Sequence, residues 1–156
     1  MEQNWRHLPS PARPIAAAAT VAVEAAQRRD EESLAAAAGD LAALDPGQTG
    51  LVLGTLVRVL LEDTHPDGLD GEAVRAVLER SVRSAGWQAE VDPHVLLVLL
   101  AGALGVIDED DETPPPKPDV LARHAALLTA ELLGPRPPRP FLDATFTEIE
   151  RAQLND

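Results

Sequence analysis

Two apolar runs, each opened by Asp-Pro, constrain the fold of this chain more than anything else in it: one starts at Asp45-Pro46, the other at Asp92-Pro93. An aspartate can accept the orphan N–H groups of a first helical turn, and proline fits the first helical position, so each pair marks a helix start. Behind Asp45, the residues Leu51, Leu53, Leu56, Val57, Val59, Leu60 and Leu61 cover most of a helical circumference. Behind Asp92 the apolar run from Val95 to Ile107 has 13 residues. Helices apolar nearly all round are normally buried. The reading is therefore two central helices, at about 46–62 and 93–106, with the rest of the chain packed around them. Leu56 and Leu99 are the expected core residues.

The other segments repeat the helical grammar. Ile15, Ala19, Ala22 and Ala26 recur at helical spacing; Asp30 precedes Leu34, Ala38 and Leu41; Asp70 precedes Val74, Val77, Leu78, Val82 and Ala85. Leu121, Ala125, Leu128 and Leu132 form a further face, as do Leu142, Phe146 and Ile149. No segment sustains period-two alternation. The fold class expected is all-α, a compact bundle of about six to seven helices with antiparallel neighbours. Gly86 and Gly134 read as helix stops, and Gly50, Gly54, Gly102 and Gly105 as sites of close helix packing. The domain reading is a tail over 1–13, a helical domain over 14–134, and a Pro-rich spacer with a C-terminal docking helix over 135–156. The spacer, PRPPRP, gives that last helix reach toward a neighbouring subunit.

Charge and composition exclude several function classes. A net charge of −13 repels phosphate backbones and anionic lipid surfaces, so neither nucleic acid nor membrane is an expected partner. The apolar runs fall short of the roughly 20 residues a membrane helix needs. There is no Cys, which removes thiolate metal sites and Cys nucleophiles. The first residues lack a cationic start with an apolar core, and a cytoplasmic location is expected. Twelve Arg against one Lys fit a bacterial coding bias.

One segment carries ligand-type residues. In Glu62-Asp-Thr-His-Pro-Asp-Gly-Leu-Asp-Gly-Glu72, the residues Asp63, His65, Asp67 and Asp70 are the cation candidates. The spacing partly resembles an EF-hand loop, but Val74 stands where a bidentate Glu is required. The competing reading is turn and cap chemistry, with Asp67-Gly68 as the turn and Asp70 as the cap. His124 borders an apolar helix face and is expected to have one satisfied ring nitrogen. Ser81 should bond back to its own helix. No Gly-x-Ser-x-Gly, phosphate-loop or dinucleotide motif occurs, so no catalytic residue and no cofactor is expected.

These observations favour a small acidic helical domain for protein–protein interaction or regulation, without catalysis and homo-oligomeric, most simply a homodimer. The candidate partner contacts are the acidic run Asp108, Glu109, Asp110, Asp111 and Glu112, and the aromatics Phe141 and Phe146. The alternative is a small enzyme or ligand-binding protein that uses the 62–72 loop, with or without a metal.

Overall fold

The computed structural model describes residues 12–88, 91–105 and 116–154. They form seven helices: α1 Ala12–Arg28, α2 Glu31–Ala42, α3 Pro46–Thr64, α4 Gly71–Ser84, α5 Pro93–Ala103, α6 Pro118–Leu133 and α7 Arg139–Leu154. The protein is an all-α bundle, and no strand occurs among the described residues.

The helix starts follow from aspartate chemistry. Asp30, Asp45, Asp70 and Asp92 each cap a helix, accepting the backbone N–H of Ser33, Gln48, Ala73 and His94 respectively. Each such cap is worth about 1 kcal/mol. Helix stops are less uniform. Gly134 (φ 63°) ends α6 with a positive φ that glycine adopts without strain, and Gly105 (φ 77°) follows α5. Gly86 does not adopt a positive φ; a Cβ there would sit 3.2 Å from the Arg83 carbonyl, so glycine serves close approach instead. The α1–α2 turn places Arg29 at φ 57°, a position that normally favours glycine.

The centre of the bundle is α6, which packs against α1, α2, α3, α4 and α5. Its buried residues include Ala122, Ala125, Leu128, Leu132 and Leu133. On one flank, the Ala-rich helices α1 and α2 pack against each other and against α6, burying Ala16, Ala19, Ala22, Ala25 and Ala38. Their small side chains allow this close packing. On another flank lies α3, whose Leu56, Val57, Leu60 and Leu61 are fully enclosed.

The second apolar run departs from expectation. Helix α5 is short, and only Val95, Leu96, Leu100 and Ala103 are buried in it. Leu99 is half-buried, not central. A helix apolar all round can serve several faces, but an 11-residue helix beside α3, α4 and α6 is covered on only part of its circumference. Gly102 also does not mark a close crossing. It is exposed, and a Cβ there would meet nothing within 4 Å; the same open space surrounds Gly50 and Gly54 of α3.

The C-terminal segment is also tighter than a spacer. Pro138 is buried, and α7 begins at Arg139, where the N–H groups of Phe141 and Leu142 bond to the Pro138 carbonyl. Proline fits this first turn because no intrahelical donor is needed there. Helix α7 lies on α3 of its own chain, with Leu142 fully enclosed, instead of reaching outward.

Candidate functional site

Each residue of the 62–72 segment has a local structural task where the structure gives it a partner. Asp63 pairs with Arg136 at 2.8 Å. The His65 ring Nδ1 lies 3.2 Å from the Leu61 carbonyl and 2.9 Å from the Thr64 hydroxyl, at the C-terminal end of α3. Gly68 takes φ 101° and its N–H bonds to the His65 carbonyl, closing the turn. Asp70 caps α4 through a 2.8 Å bond from the Ala73 N–H. Asp67 is exposed. Among the described residues no three His, Asp or Glu side chains gather as a metal-ligand group. The segment brings its carboxylates to the two ends of a turn, not to one point.

Arg136, in the sequence one of two arginines interleaved among the prolines of 135–140, ties three helices together. Its Nε donates to the Leu133 carbonyl and its Nη2 to the Leu132 carbonyl, both at 2.9 Å, which satisfies the C-terminal end of α6. Its Nη1 reaches Asp63 at the end of α3. Its guanidinium lies 4.9 Å from the centroid of Phe141 in α7. Gln27 of α1 completes the corner, donating to the carbonyls of Gly134 and Arg136. A planar, always-charged fork suits this position. The only sequence signal was an Arg two residues beyond a helix-stopping Gly.

The aromatic partner candidates are used within the chain. Phe141 sits under Arg136, and Phe146 packs against the core. The acidic run Asp108 to Glu112 lies outside the described residues. Arg58 lies between Glu62 at 3.4 Å and Glu148 of α7 at 3.8 Å.

His124 differs most from its sequence reading. It is 1% exposed, well inside the boundary where it was expected. Both ring nitrogens are engaged. Nε2 accepts the Asp92 N–H at 2.9 Å, and Nδ1 lies 2.8 Å from the Val120 carbonyl one turn earlier. Only the neutral tautomer with hydrogen on Nδ1 satisfies both contacts. Burial lowers its pKa below the ordinary histidine value; the Val120 carbonyl and the Asp92 charge oppose that shift, and Arg123 reinforces it. The helical register hid this, because the ring's partner comes from a residue 32 positions away.

A small cleft opens where the ends of α1, α4 and α6 meet. It has a volume of about 150 Å³ and is walled in part by Gln27, Arg29, Ser84, Trp87 and Glu131. Small-molecule sites usually occupy about 300–1,000 Å³. Glu131 faces Arg80 at 3.8 Å. Among the described residues the cleft wall contains no His or Cys to act as base or thiolate beside Ser84. Ser81 does not bond back to its helix: its hydroxyl is buried without a partner, as is that of Thr129.

Among the described residues the exposed large apolar side chains are Val21, Leu51, Leu97 and Leu104, so the shortest helix and its C-cap supply two of the four. Leu97 is 44% exposed and Leu104 37%. His94, Leu97, Ala101 and Leu104 follow one another at steps of three, four and three residues, which places them on one stripe. Comparison of the chain with protein-family models, curated proteins and solved structures finds no match. No helix among the described residues is long and apolar enough to cross a membrane.

Proposed function

We propose that the protein is a non-catalytic helical interaction module that self-associates through the outward stripe of α5. The observation that carries this is the exposure of Leu97 and Leu104 on a helix with no Asp, Glu, Lys or Arg. Leu97, Ala101 and Leu104, four and three residues apart, have the spacing of a seam that one helix offers to another.

The occupant is a second copy of the chain. A chain of net charge −13 repels its own copies, and the uncharged stripe is where that repulsion is least. A twofold contact needs only a self-complementary patch, which a single apolar stripe can supply. The alternative built on the 62–72 loop loses support, because its carboxylates serve a cap and an ion pair.

Sedimentation or light scattering at micromolar protein, in 50 mM and 500 mM salt, tests the reading with buffer conditions on the order of those that change the screening length severalfold. A dimeric mass that strengthens with salt is expected, because salt screens like-charge repulsion. The variant Leu97→Asp/Leu104→Asp should be monomeric while keeping its helical circular dichroism. A monomeric wild type at both salts rejects self-association.

A further inference from the structure

We infer that His124 is an acid-sensitive latch that holds the N-terminal end of α5 onto α6, so that protonation of its ring releases the helix carrying the outward stripe. The geometry is a chain of three contacts. The Asp92 carboxylate caps α5 by accepting the His94 N–H at 2.9 Å. The Asp92 backbone N–H donates to His124 Nε2. His124 Nδ1–H in turn donates to the Val120 carbonyl within α6. The ring therefore joins the cap residue of one helix to the body of another.

This latch works in one protonation state only. Nε2 accepts through its lone pair, and a proton placed there leaves two donors facing each other. The buried imidazolium then has two routes, and both loosen α5. It can push the Asp92 N–H away, which strands a donor next to a buried charge. Or it can draw the Asp92 carboxylate toward itself, which takes the cap from the His94 N–H. Among the described residues, the charged groups that act on the ring are Asp92 at the head of α5, which favours protonation, and Arg123 on α6, which opposes it. At that end of α5, Pro93 and His94 are exposed, and the other contacts that hold it are apolar, from Val91, Val95 and Leu96.

The regulatory consequence, loss of the α5 stripe in acid, rests on the interaction reading above. The latch itself does not, and the two can fail separately. Hydrogen exchange of the full-length protein at pH 7.5 and 5.0, corrected for intrinsic rates, reads the latch directly. Protection of the α5 amides should fall at least tenfold relative to those of α1 and α2. The variant His124→Gln keeps a neutral side-chain acceptor and should show no such selective fall. His94→Gln, which removes the exposed histidine of the stripe, should behave as wild type. Unchanged α5 protection, a loss spread evenly over all helices, or a selective loss that persists in His124→Gln overturns the latch. If His124→Gln does not fold, the wild-type pattern still decides, because an even loss rejects the latch and a selective one supports it. A monomeric mass at pH 7.5 would reject the interaction reading and leave the exchange result untouched.

Discussion

Replacing Arg136 by Ala removes the brace at the corner where α3, α6 and α7 meet. The two bonds to the Leu132 and Leu133 carbonyls are 2.9 Å long and charge-assisted. The side chain is 41% exposed, so solvent competes for both bonds; about 1 kcal/mol each is a fair share. The Asp63 pair, equally exposed, adds roughly 0.5 kcal/mol, and the contact with Phe141 about 0.5 kcal/mol. The expected loss is about 2–3 kcal/mol, which for a chain of this size lowers Tm by roughly 5–10 °C. Arg136→Lys keeps the charge but not the fork, and should recover the ion pair while still losing about 1.5–2 kcal/mol. Asp63→Asn alone should cost under about 1 kcal/mol. Urea and thermal unfolding followed by circular dichroism measure all three. A cost below about 1 kcal/mol for Arg136→Ala, or a Lys variant as stable as wild type, would refute the brace.

Leu100→Ala should cost about 2–5 kcal/mol and Leu99→Ala roughly half of that or less, because only Leu100 is fully enclosed; equal costs in denaturant would mean that α5 is buried more evenly. Asp70→Ala should lose about 1 kcal/mol through its cap, while Asp67→Ala stays within about 0.5 kcal/mol. Neither should alter a calorimetric titration with calcium or zinc, and a saturable heat abolished by Asp67→Ala would revive the cation reading. Stability should fall in mild acid. Burial holds the folded pKa of His124 below the ordinary histidine value of 6.5, so its contribution is intact above pH 6.5 and is lost as the pH falls toward the folded value. Asp30 acts further down: hydrogen bonds from the Ser33 side chain and backbone lower its pKa from 3.8, so its cap is intact above that value and lost below it. A thermal midpoint unchanged between pH 7.5 and 5.0 would contradict the histidine part.

Much of the architecture was legible one helix at a time. The Asp caps at 30, 45, 70 and 92 all form as the local pattern requires. A cap is decided within about four residues, and sequence displays those four residues in full. The same locality explains the 62–72 segment, whose competing reading as turn and cap chemistry matches the bond of Asp70 and the conformation of Gly68. Errors arose where a residue's environment is set from far away. Gly50, Gly54 and Gly102 suggested packing sites, but whether a helix lies opposite them is a tertiary fact. Leu99 and Leu100 are indistinguishable by hydropathy, and one position of helical rotation separates a half-covered side chain from a buried one.

The sequence by itself determined that this chain forms helices, where most of them begin, and that its ligand-type residues cluster in a turn, because caps, proline and helical periodicity act over short distances. Tertiary structure decided which helix is central, and it is α6, whose own sequence is less apolar than that of α5. It also decided that Arg136 braces three helices, that His124 receives the N–H of Asp92, and that one stripe of α5 faces outward. Each of these depends on contacts between residues tens of positions apart, and side-chain identity carries no record of which distant surface will meet it.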